Sequence, residues 1–107
     1  MNYKQFDIYN IDLNPTKGSE QRGNRPCLIL QTNAVSHLGR TTLIAPFTTK
    51  KIKNIYPYEV EIIPSIINNL TEISKVKLDQ IRVIDKTRIQ EKMGTLEEAY
   101  HNNIFEA

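Results

Sequence analysis

Residues 17–30 read KGSEQRGNRPCLIL, and within this stretch a polar loop turns into an apolar strand. A residue that precedes proline is driven out of the helical region into extended conformations. Pro26 lacks an N–H group, so it suits the first residue of a strand. Residues 26–31, PCLILQ, form a short apolar run bounded by turn signals, which is typical of a buried strand. We therefore expect Arg25 to be held extended at the mouth of this strand, beside a glycine-bearing loop.

Short strands separated by polar turns are predicted along most of the chain. The further strands are predicted at residues 6–13, 41–48, 57–62, 75–85 and, as a shorter one, near 90–94. In the first of these, the alternation of apolar and polar residues slips by one position near Ile8 and Tyr9, which predicts a β-bulge. The segment KVKLDQIRVID, residues 75–85, is the longest strand candidate.

Helical signals are confined to two places. Residues 33–39 fit one short helical turn, and residues 95–107, TLEEAYHNNIFEA, predict a C-terminal helix with Thr95 as its N-cap. Five or six short strands followed by one helix favour a mainly β fold, a small and strongly bent β-barrel. A chain of 107 residues suits one domain.

The composition excludes several classes of protein. A net charge of +2 is compatible with a polyanionic partner without requiring one. The first ten residues have no apolar core of signal-peptide length, and no run is long enough to span a bilayer. A single cysteine, Cys27, rules out an internal disulfide. We therefore expect a soluble, cytoplasmic protein.

Metal and nucleotide cofactors are not indicated by any motif. His37 and His101 lie far apart, and no Cys or His pair has the spacing of zinc ligands. The glycine-rich phosphate loops and the Gly-x-Ser-x-Gly motif are absent from the sequence. We expect no cofactor, although the sequence leaves a carboxylate-only magnesium site open.

Arg25 and Thr48 are the candidates for phosphate chemistry. The guanidinium of Arg25 offers a planar fork of donors that keeps its charge, which suits a phosphate. The alternative is a surface arginine paired with Glu20. Thr48 ends an apolar strand, where its hydroxyl group can donate to a phosphate oxygen, and the alternative is an ordinary turn residue.

Two further groups of charged residues have ambiguous roles. In a continuous strand over 75–85, Lys77 and Asp79 share one face, while Gln80 and Arg82 share the other. Each face mixes polar and apolar groups, so the Lys77 and Asp79 face fits either a structural ion pair or the rim of a site. Basic residues at the ends of the third strand form a modest footprint for a nucleic-acid backbone, namely Arg40, Lys50, Lys51 and Lys53.

Residues 6–88 resemble the MazF/PemK family of toxin endoribonucleases, the toxin half of type II toxin–antitoxin pairs. The family pattern G-x-E-Q-x-G-x-R-P fits residues 18–26 at every fixed position, and D-Q-x-R-x-I-D fits residues 79–85. The pieces APFTTK at 45–50 and YPYEVEI at 56–62 match as well. The resemblance covers most of the chain, in order.

The resemblance implies an SH3-like barrel that forms a homodimer and cuts single-stranded mRNA without metal. The substrate's own 2′-OH attacks the adjacent phosphate, giving a 2′,3′-cyclic phosphate and a 5′-OH. Arg25 matches the family's main catalytic arginine and Thr48 its catalytic threonine. Glu20 is implied as a base or as the residue that orients Arg25, and Asp79 matches a position that is the base in some members.

RNA contacts are expected from Ser19, Gln21, Arg22, Lys50, Lys51, Lys77, Gln80 and Arg82. Two of these depart from the family. Some members have histidine where this chain has Ser19, and arginine where it has Lys77. Acid–base roles of those members therefore do not transfer, and the identity of the general base is open.

A cognate antitoxin with an acidic, initially disordered segment is the expected protein partner. Two other functions are considered. One is a toxin of the same fold that poisons DNA gyrase through its C-terminal helix, and the other is an inactive binding module. The presence of both Arg25 and Thr48 favours the nuclease.

Overall fold

A computed structural model of the chain describes residues 3–13, 23–33, 39–50 and 52–106. Seven strands lie in this part of the chain: β1 (Asp7–Asp12), β2 (Asn24–Ile29), β3 (Thr41–Thr48), β4 (Glu59–Ile62), β5 (Ser74–Lys77), β6 (Arg82–Asp85) and β7 (Ile89–Thr95). Short 3₁₀ turns span Leu78–Gln80, Lys86–Arg88 and Glu98–Tyr100, and one helix, α1 (His101–Glu106), follows the last of them. The prediction of a mainly β fold with a C-terminal helix is confirmed, with one strand more than expected.

The strands form one bent antiparallel sheet in the order β4-β5-β3-β2-β1-β7, and β6 also pairs with β3. The two ends of this order approach each other, because the N–H of Thr95 at the end of β7 donates to the carbonyl of Ile67, shortly after β4, at 3.0 Å. The sheet is thereby wrapped around its own interior, as the predicted barrel requires. Neither the helix nor any 3₁₀ turn in the described ranges is long and apolar enough to cross a membrane.

Strand β1 divides the apolar interior into two clusters. Phe6 and Ile8 pack in the first cluster, together with Leu28 of β2. Tyr9 and Ile11 pack in the second. Side chains of a regular strand alternate between faces, so the change of parity between Ile8 and Tyr9 requires an irregularity there. The pairing of β1 with β7 shifts register at this point, which confirms the predicted bulge.

The prediction of one continuous strand over residues 75–85 was wrong. The segment breaks into β5, a 3₁₀ turn over Leu78–Gln80, and β6. Both strands pair with the same edge of β3, but five residues, 77–81, lie opposite only Ala45 and Pro46. The assignment of Lys77 and Asp79 to one strand face, and of Gln80 and Arg82 to the other, therefore does not hold.

Pro46 explains the interruption. The N–H of Leu30 donates to the carbonyl of Leu43 at 2.8 Å, so Leu30 and Leu43 form a hydrogen-bonded pair. In an antiparallel ladder, hydrogen-bonded pairs alternate with pairs that are not hydrogen-bonded. This alternation places Pro46 in a non-bonded pair with Cys27, so its nitrogen faces the opposite edge of β3. Proline has no N–H to offer there, and the ladder with the β5–β6 segment stops at that position.

The C-terminal helix begins later than predicted, and Thr95 is not its N-cap. Thr95 ends β7, and its hydroxyl group donates to Asp7 Oδ1 at 3.2 Å. Helical geometry begins only after Glu97, which lies before a 3₁₀ turn and makes no side-chain capping bond. Thr95 is instead held by two hydrogen bonds, from its N–H to the carbonyl of Ile67 and from its hydroxyl group to Asp7. These two bonds outweigh its preference for the N-cap position.

The other predicted boundaries are close to the observed ones. Strand β2 begins at Asn24, two residues before its predicted start, and β4 begins at Glu59 because the two preceding residues form a turn. The helical turn predicted at 33–39 falls largely on residues 34–38, which lie outside the described residues.

Gly94 in β7 lies against the backbone of the loop that follows β4. A Cβ atom at this position would lie 2.5 Å from the carbonyl oxygen of Ile67 and 2.7 Å from that of Asn68. Such contacts are too short for any side chain, so glycine is required by the close approach of two backbones.

We expect Gly94→Ala to destabilise the protein by about 1–3 kcal/mol, because the methyl group forces β7 away from the loop at residues 67–68. The urea midpoint of unfolding measures the effect. The control is Gln90→Ala, an exposed site in the same strand, where a change within about 0.5 kcal/mol is expected. Equal stability of Gly94→Ala and the native protein would show that the loop yields without cost.

Candidate active site

Arg25 and Thr48 lie on one cleft of about 240 Å³. The cleft is lined by Asn24, Arg25, Pro26, Phe47, Thr48, Thr49, Leu70, Thr71, Glu72, Ser74 and Met93. Its floor is formed by the beginning of β2 and the end of β3, and its wall by residues 70–74. The structure therefore brings together the two residues that the sequence selected for phosphate chemistry.

The pairing of β2 with β3 accounts for this convergence. Cys27 lies opposite Pro46 in the antiparallel register, and extending that register by two residues places Arg25 opposite Thr48. Side chains of opposed residues point to the same face of a sheet. Arg25 is half-buried, and Thr48 is almost fully buried.

The hydroxyl group of Thr48 is already oriented by the backbone. The N–H of Lys50 donates to Thr48 Oγ1 at 3.2 Å. A threonine hydroxyl group that accepts one hydrogen bond still carries a proton to donate. Thr48 is thus built to act as a hydrogen-bond donor within the cleft.

Cys27 is a core residue of the second apolar cluster and is not placed to act as a nucleophile. It is fully buried, and its Sγ donates to the carbonyl of Arg25 at 3.5 Å. Burial raises the pKa of the Cys27 thiol to about 12, against the smaller opposing effect of the Arg82 and Arg25 charges. These charges act on the thiol from nearby, and Arg82 lies opposite Ile44 in the β3–β6 pairing, on the face that carries Arg25.

A buried ion pair next to Thr48 was missed by the sequence reasoning. Lys75 lies opposite Thr48, and its Nζ contacts Glu59 Oε1 at 2.8 Å, with both side chains at most 2% exposed. Lys77 Nζ lies 3.5 Å from the other oxygen of Glu59. The signal was present as E-x-E in β4 and K-x-K in β5, since alternate residues of paired strands share a face.

The pKa of Glu59 reflects this environment. Burial disfavours the charged carboxylate, but hydrogen bonds from Lys75 and from the backbone of Tyr56, with the charges of Lys75 and Lys77, hold the pKa below its ordinary value of 4.5. Glu59 is therefore ionised at neutral pH and compensates the buried charge of Lys75.

The other residues predicted for the site either do not line this cleft or lie outside the residues that the structure describes. Lys50 is exposed two residues after the end of β3, whereas Asp79 and Gln80 lie in the 3₁₀ turn and are not among the residues that line the cleft. Five candidates, Ser19, Glu20, Gln21, Arg22 and Lys51, lie outside the described residues.

The segment that forms the wall of the cleft comes directly after a loop that buried polar groups hold in place. Asn68 is fully buried, and its side chain bonds to the backbone N–H of Ser65 and Leu70 and to the carbonyl of Ile63. Glu97 accepts from Ser65 Oγ at 2.8 Å and from Asn68 Nδ2 at 3.0 Å. A fully bonded network of this kind rigidifies the segment that contains it.

Residues of this wall were also missed by the sequence reasoning. Thr71 and Glu72 place a hydroxyl group and an exposed carboxylate beside Arg25 and Thr48. No motif pointed to them, because their position depends on a fold-specific loop between β4 and β5. Glu72 adds a titratable group to the cleft.

We expect Glu59→Gln to destabilise the protein by about 3–5 kcal/mol, because it leaves the buried ammonium group of Lys75 without a compensating charge. The control is Glu61→Gln, an exposed glutamate of the same strand, for which a change within about 0.5 kcal/mol is expected. Urea unfolding at neutral pH measures both variants.

The pH dependence of this stabilisation has a definite sign. Because the pKa of Glu59 is lowered in the folded state, its contribution is present above the ordinary carboxyl pKa and is lost as the pH falls through the folded-state value. The native protein should therefore lose more stability on acidification than Glu59→Gln. Identical acid sensitivity of the two proteins would contradict the assignment.

Comparison with known proteins gives a consistent result. The PemK-like, MazF-like toxins of type II toxin–antitoxin systems match residues 4–107. Endoribonuclease MazF of Staphylococcus saprophyticus is 38% identical over 93 residues, covering 87% of this chain and 77% of the relative. Endoribonuclease EndoA of Bacillus subtilis is 35% identical over 104 residues, covering 97% and 89%.

Solved structures share the fold. MazF of Deinococcus radiodurans superimposes with a TM-score of 0.80 at 23% identity, covering 98% of this chain and 91% of that one. A mycobacterial endoribonuclease, solved in complex with its cognate antitoxin, gives a TM-score of 0.79 at 23% identity, covering 97% and 88%.

Proposed function

Because this chain belongs to the PemK-like, MazF-like toxins of type II toxin–antitoxin systems, we propose that the cleft between Arg25 and Thr48 is the active site of an endoribonuclease. Its substrate is single-stranded mRNA, cut at a specific sequence without a metal ion. The observation that carries the proposal is the convergence of an arginine and a threonine hydroxyl on one cleft. The reaction needs no nucleophile from the protein, and both residues are hydrogen-bond donors suited to a phosphate.

In the proposed reaction, the substrate supplies its own nucleophile. The 2′-oxygen forms a bond to phosphorus, and the bond from phosphorus to the 5′-oxygen breaks. A base takes the proton of the 2′-OH, and the departing 5′-oxygen gains a proton. Negative charge develops on the non-bridging phosphate oxygens, and preorganised donors stabilise it. The guanidinium of Arg25 and the hydroxyl group of Thr48 are those donors.

The general base is to be sought among carboxylates. Glu72 lines the cleft with Arg25 and Thr48. Asp79 lies on the exposed 3₁₀ turn and is not among the residues that line the cleft, and Glu20 lies outside the described residues. The family resemblance favours Glu20 or Asp79, and the geometry adds Glu72 to these two.

Cations on the same sheet surface support a polyanionic substrate. Arg82 lies on the same face of the sheet as Arg25, and Lys50 lies two residues after Thr48. Lysine and arginine contacts to phosphates supply much of the affinity of proteins for nucleic acids. We assign RNA contacts to these residues and, outside the described residues, to Ser19, Gln21 and Arg22.

The proposed assembly is a cytoplasmic homodimer inhibited by a cognate antitoxin. A mycobacterial structural relative is an endoribonuclease bound to its cognate antitoxin. An acidic antitoxin segment that folds on binding would compete with RNA for the cations of the cleft. The gyrase-poisoning alternative is not favoured, because the curated relatives are named endoribonucleases.

We expect purified protein to cleave RNA in excess EDTA and to leave 5′-OH ends. In the part of the chain that the structure describes, no three His, Cys, Asp or Glu side chains form a metal-binding group. Labelling of the new 5′ ends by polynucleotide kinase, without prior phosphatase treatment, measures the outcome. Products with 5′-phosphate, or complete inhibition by the chelator, would overturn the mechanism.

We expect Arg25→Ala to lower the rate of cleavage at saturating RNA by roughly 10²–10³, because one preorganised donor to the transition state is lost. Binding of RNA should be retained, since several backbone contacts supply the affinity. Single-turnover cleavage and equilibrium binding separate the two effects.

Lys50→Ala is the matched control, a change of one cation outside the cleft lining. It should weaken binding and reduce the salt dependence by about one unit, with little change in rate at saturation. Cleavage by Arg25→Ala at the native rate would refute the site, whereas its failure to fold would assign Arg25 a structural role.

A further inference from the structure

Two tyrosine side chains are exposed side by side on the turn before β4. The rings of Tyr56 and Tyr58 are parallel to within 2°, with centroids 5.5 Å apart. Tyr56 is 49% exposed and Tyr58 is 41% exposed. Two aromatic rings stacked at the surface leave an outward ring face in contact with water, and such a face fits a planar ligand.

The turn that carries these rings is fixed by Glu59. The N–H of Tyr56 donates to Glu59 Oε1 at 3.0 Å, and the N–H of Glu59 donates to the carbonyl of Tyr56 at 2.9 Å. The same carboxylate binds Lys75, whose Nζ also donates to the carbonyl of Asn54 and lies 5.8 Å from the centroid of the Tyr56 ring. The tyrosine pair is thus preorganised, which lowers the entropy cost of binding to it.

Lys75 also connects the tyrosine pair to the proposed active site. Its backbone lies directly opposite Thr48 in the β3–β5 pairing, while its side chain reaches the Tyr56 ring. Strand β5, with Lys75, thus lies between Thr48 and the turn that carries the tyrosines. A strand of RNA whose phosphate lies at Thr48 can cross β5 to reach that turn.

The surroundings keep the Tyr58 phenol group neutral. Partial desolvation, with the charges of Asp79 and Glu59, raises the pKa of Tyr58 above its ordinary value of 10.0. A neutral phenol does not repel phosphates, and its hydroxyl group can donate to a base edge. The ring faces bind any base, because every base has a π-face.

We propose that Tyr56 and Tyr58 form a stacking platform for a base of single-stranded RNA next to the phosphate bound at Arg25 and Thr48, a proposal that rests on the proposed function. The occupant is a nucleobase and not a protein side chain, because the ring pair is preorganised and is linked through Lys75 to the strand beside Thr48. Stacking holds the strand on one side of the cleft while Arg25 and Thr48 hold the phosphate. The platform positions the substrate and takes no part in proton transfer.

The test uses binding of a fluorescent, mixed-sequence, single-stranded 2′-O-methyl oligonucleotide, in which the attacking hydroxyl group is blocked. Tyr56→Ala and Tyr58→Ala should each weaken binding by roughly 5- to 150-fold, the range for loss of one base–aromatic stack. Tyr56→Phe and Tyr58→Phe keep the ring and should bind within about twofold of the native protein. Phe105→Ala, at an exposed aromatic residue on α1, is the control and should bind like the native protein.

A second readout distinguishes stacking from a structural role. With cleavable RNA, the alanine variants should raise KM and leave kcat within about twofold, because the lost contact is present in both ground state and transition state. Circular dichroism and urea unfolding should match the native protein. Lower kcat with unchanged KM would overturn the proposal, as would equal losses in Phe105→Ala.

The outcomes separate this inference from the proposed function. If the native protein cleaves RNA in EDTA and the alanine variants bind the oligonucleotide normally, the platform is wrong and the nuclease stands. If the native protein binds the oligonucleotide through the tyrosines but cuts no RNA, the proposed nuclease fails and the binding site stands. If the alanine variants change the molar mass in light scattering and leave RNA binding intact, the tyrosines form a protein interface, which overturns the inference.

Discussion

The edges of β3 carry the constraint on which the rest of the structure depends. One edge pairs with β2 and the other with both β5 and β6. Each pairing fixes a register, and each register brings one functional group to the same face. Arg25 comes from β2 and Lys75 from β5, both beside Thr48 at the end of β3, whereas Arg82 comes from β6 and lies opposite Ile44. A slip of one residue in any of these pairings would turn the corresponding side chain to the opposite face.

Charge in this region is arranged in two layers. Glu59 and Lys75 are buried and compensate each other, so they contribute order and little net charge. Arg25, Lys50 and the partly exposed Lys77 are at or near the surface, where a polyanion can reach them. The buried pair fixes the geometry of turn and strand, while the other cations lie at least partly at the surface. The same lysine-bearing strand thus serves both the stability of the fold and the placement of the tyrosines.

The sequence was sufficient to predict the strands whose apolar pattern is local, and to select Arg25 and Thr48 as candidates for the site. The bulge at Ile8 and Tyr9 was readable from parity, and Arg25 from its position before proline. Residues 75–85 were predicted as one strand because their sequence pattern shows no break. The break is caused by Pro46 on β3, and only the register of the folded sheet places Pro46 opposite this segment. Glu72 was not predicted because its place in the cleft depends on the loop held by Asn68 and Glu97. Such long-range networks leave no periodic signal in the chain.

The break in the ladder opposite Pro46 has a consequence for how this protein can diverge. Residues 77–81 lie between two paired strands without being held in register by β3 over their whole length. Their number and chemistry can therefore change while both flanking ladders keep their registers. The segment is therefore a place where a change of length would leave both flanking strand pairings intact. Proteins with this topology can change the surface formed by residues 77–81 without rebuilding the sheet that carries Arg25 and Thr48.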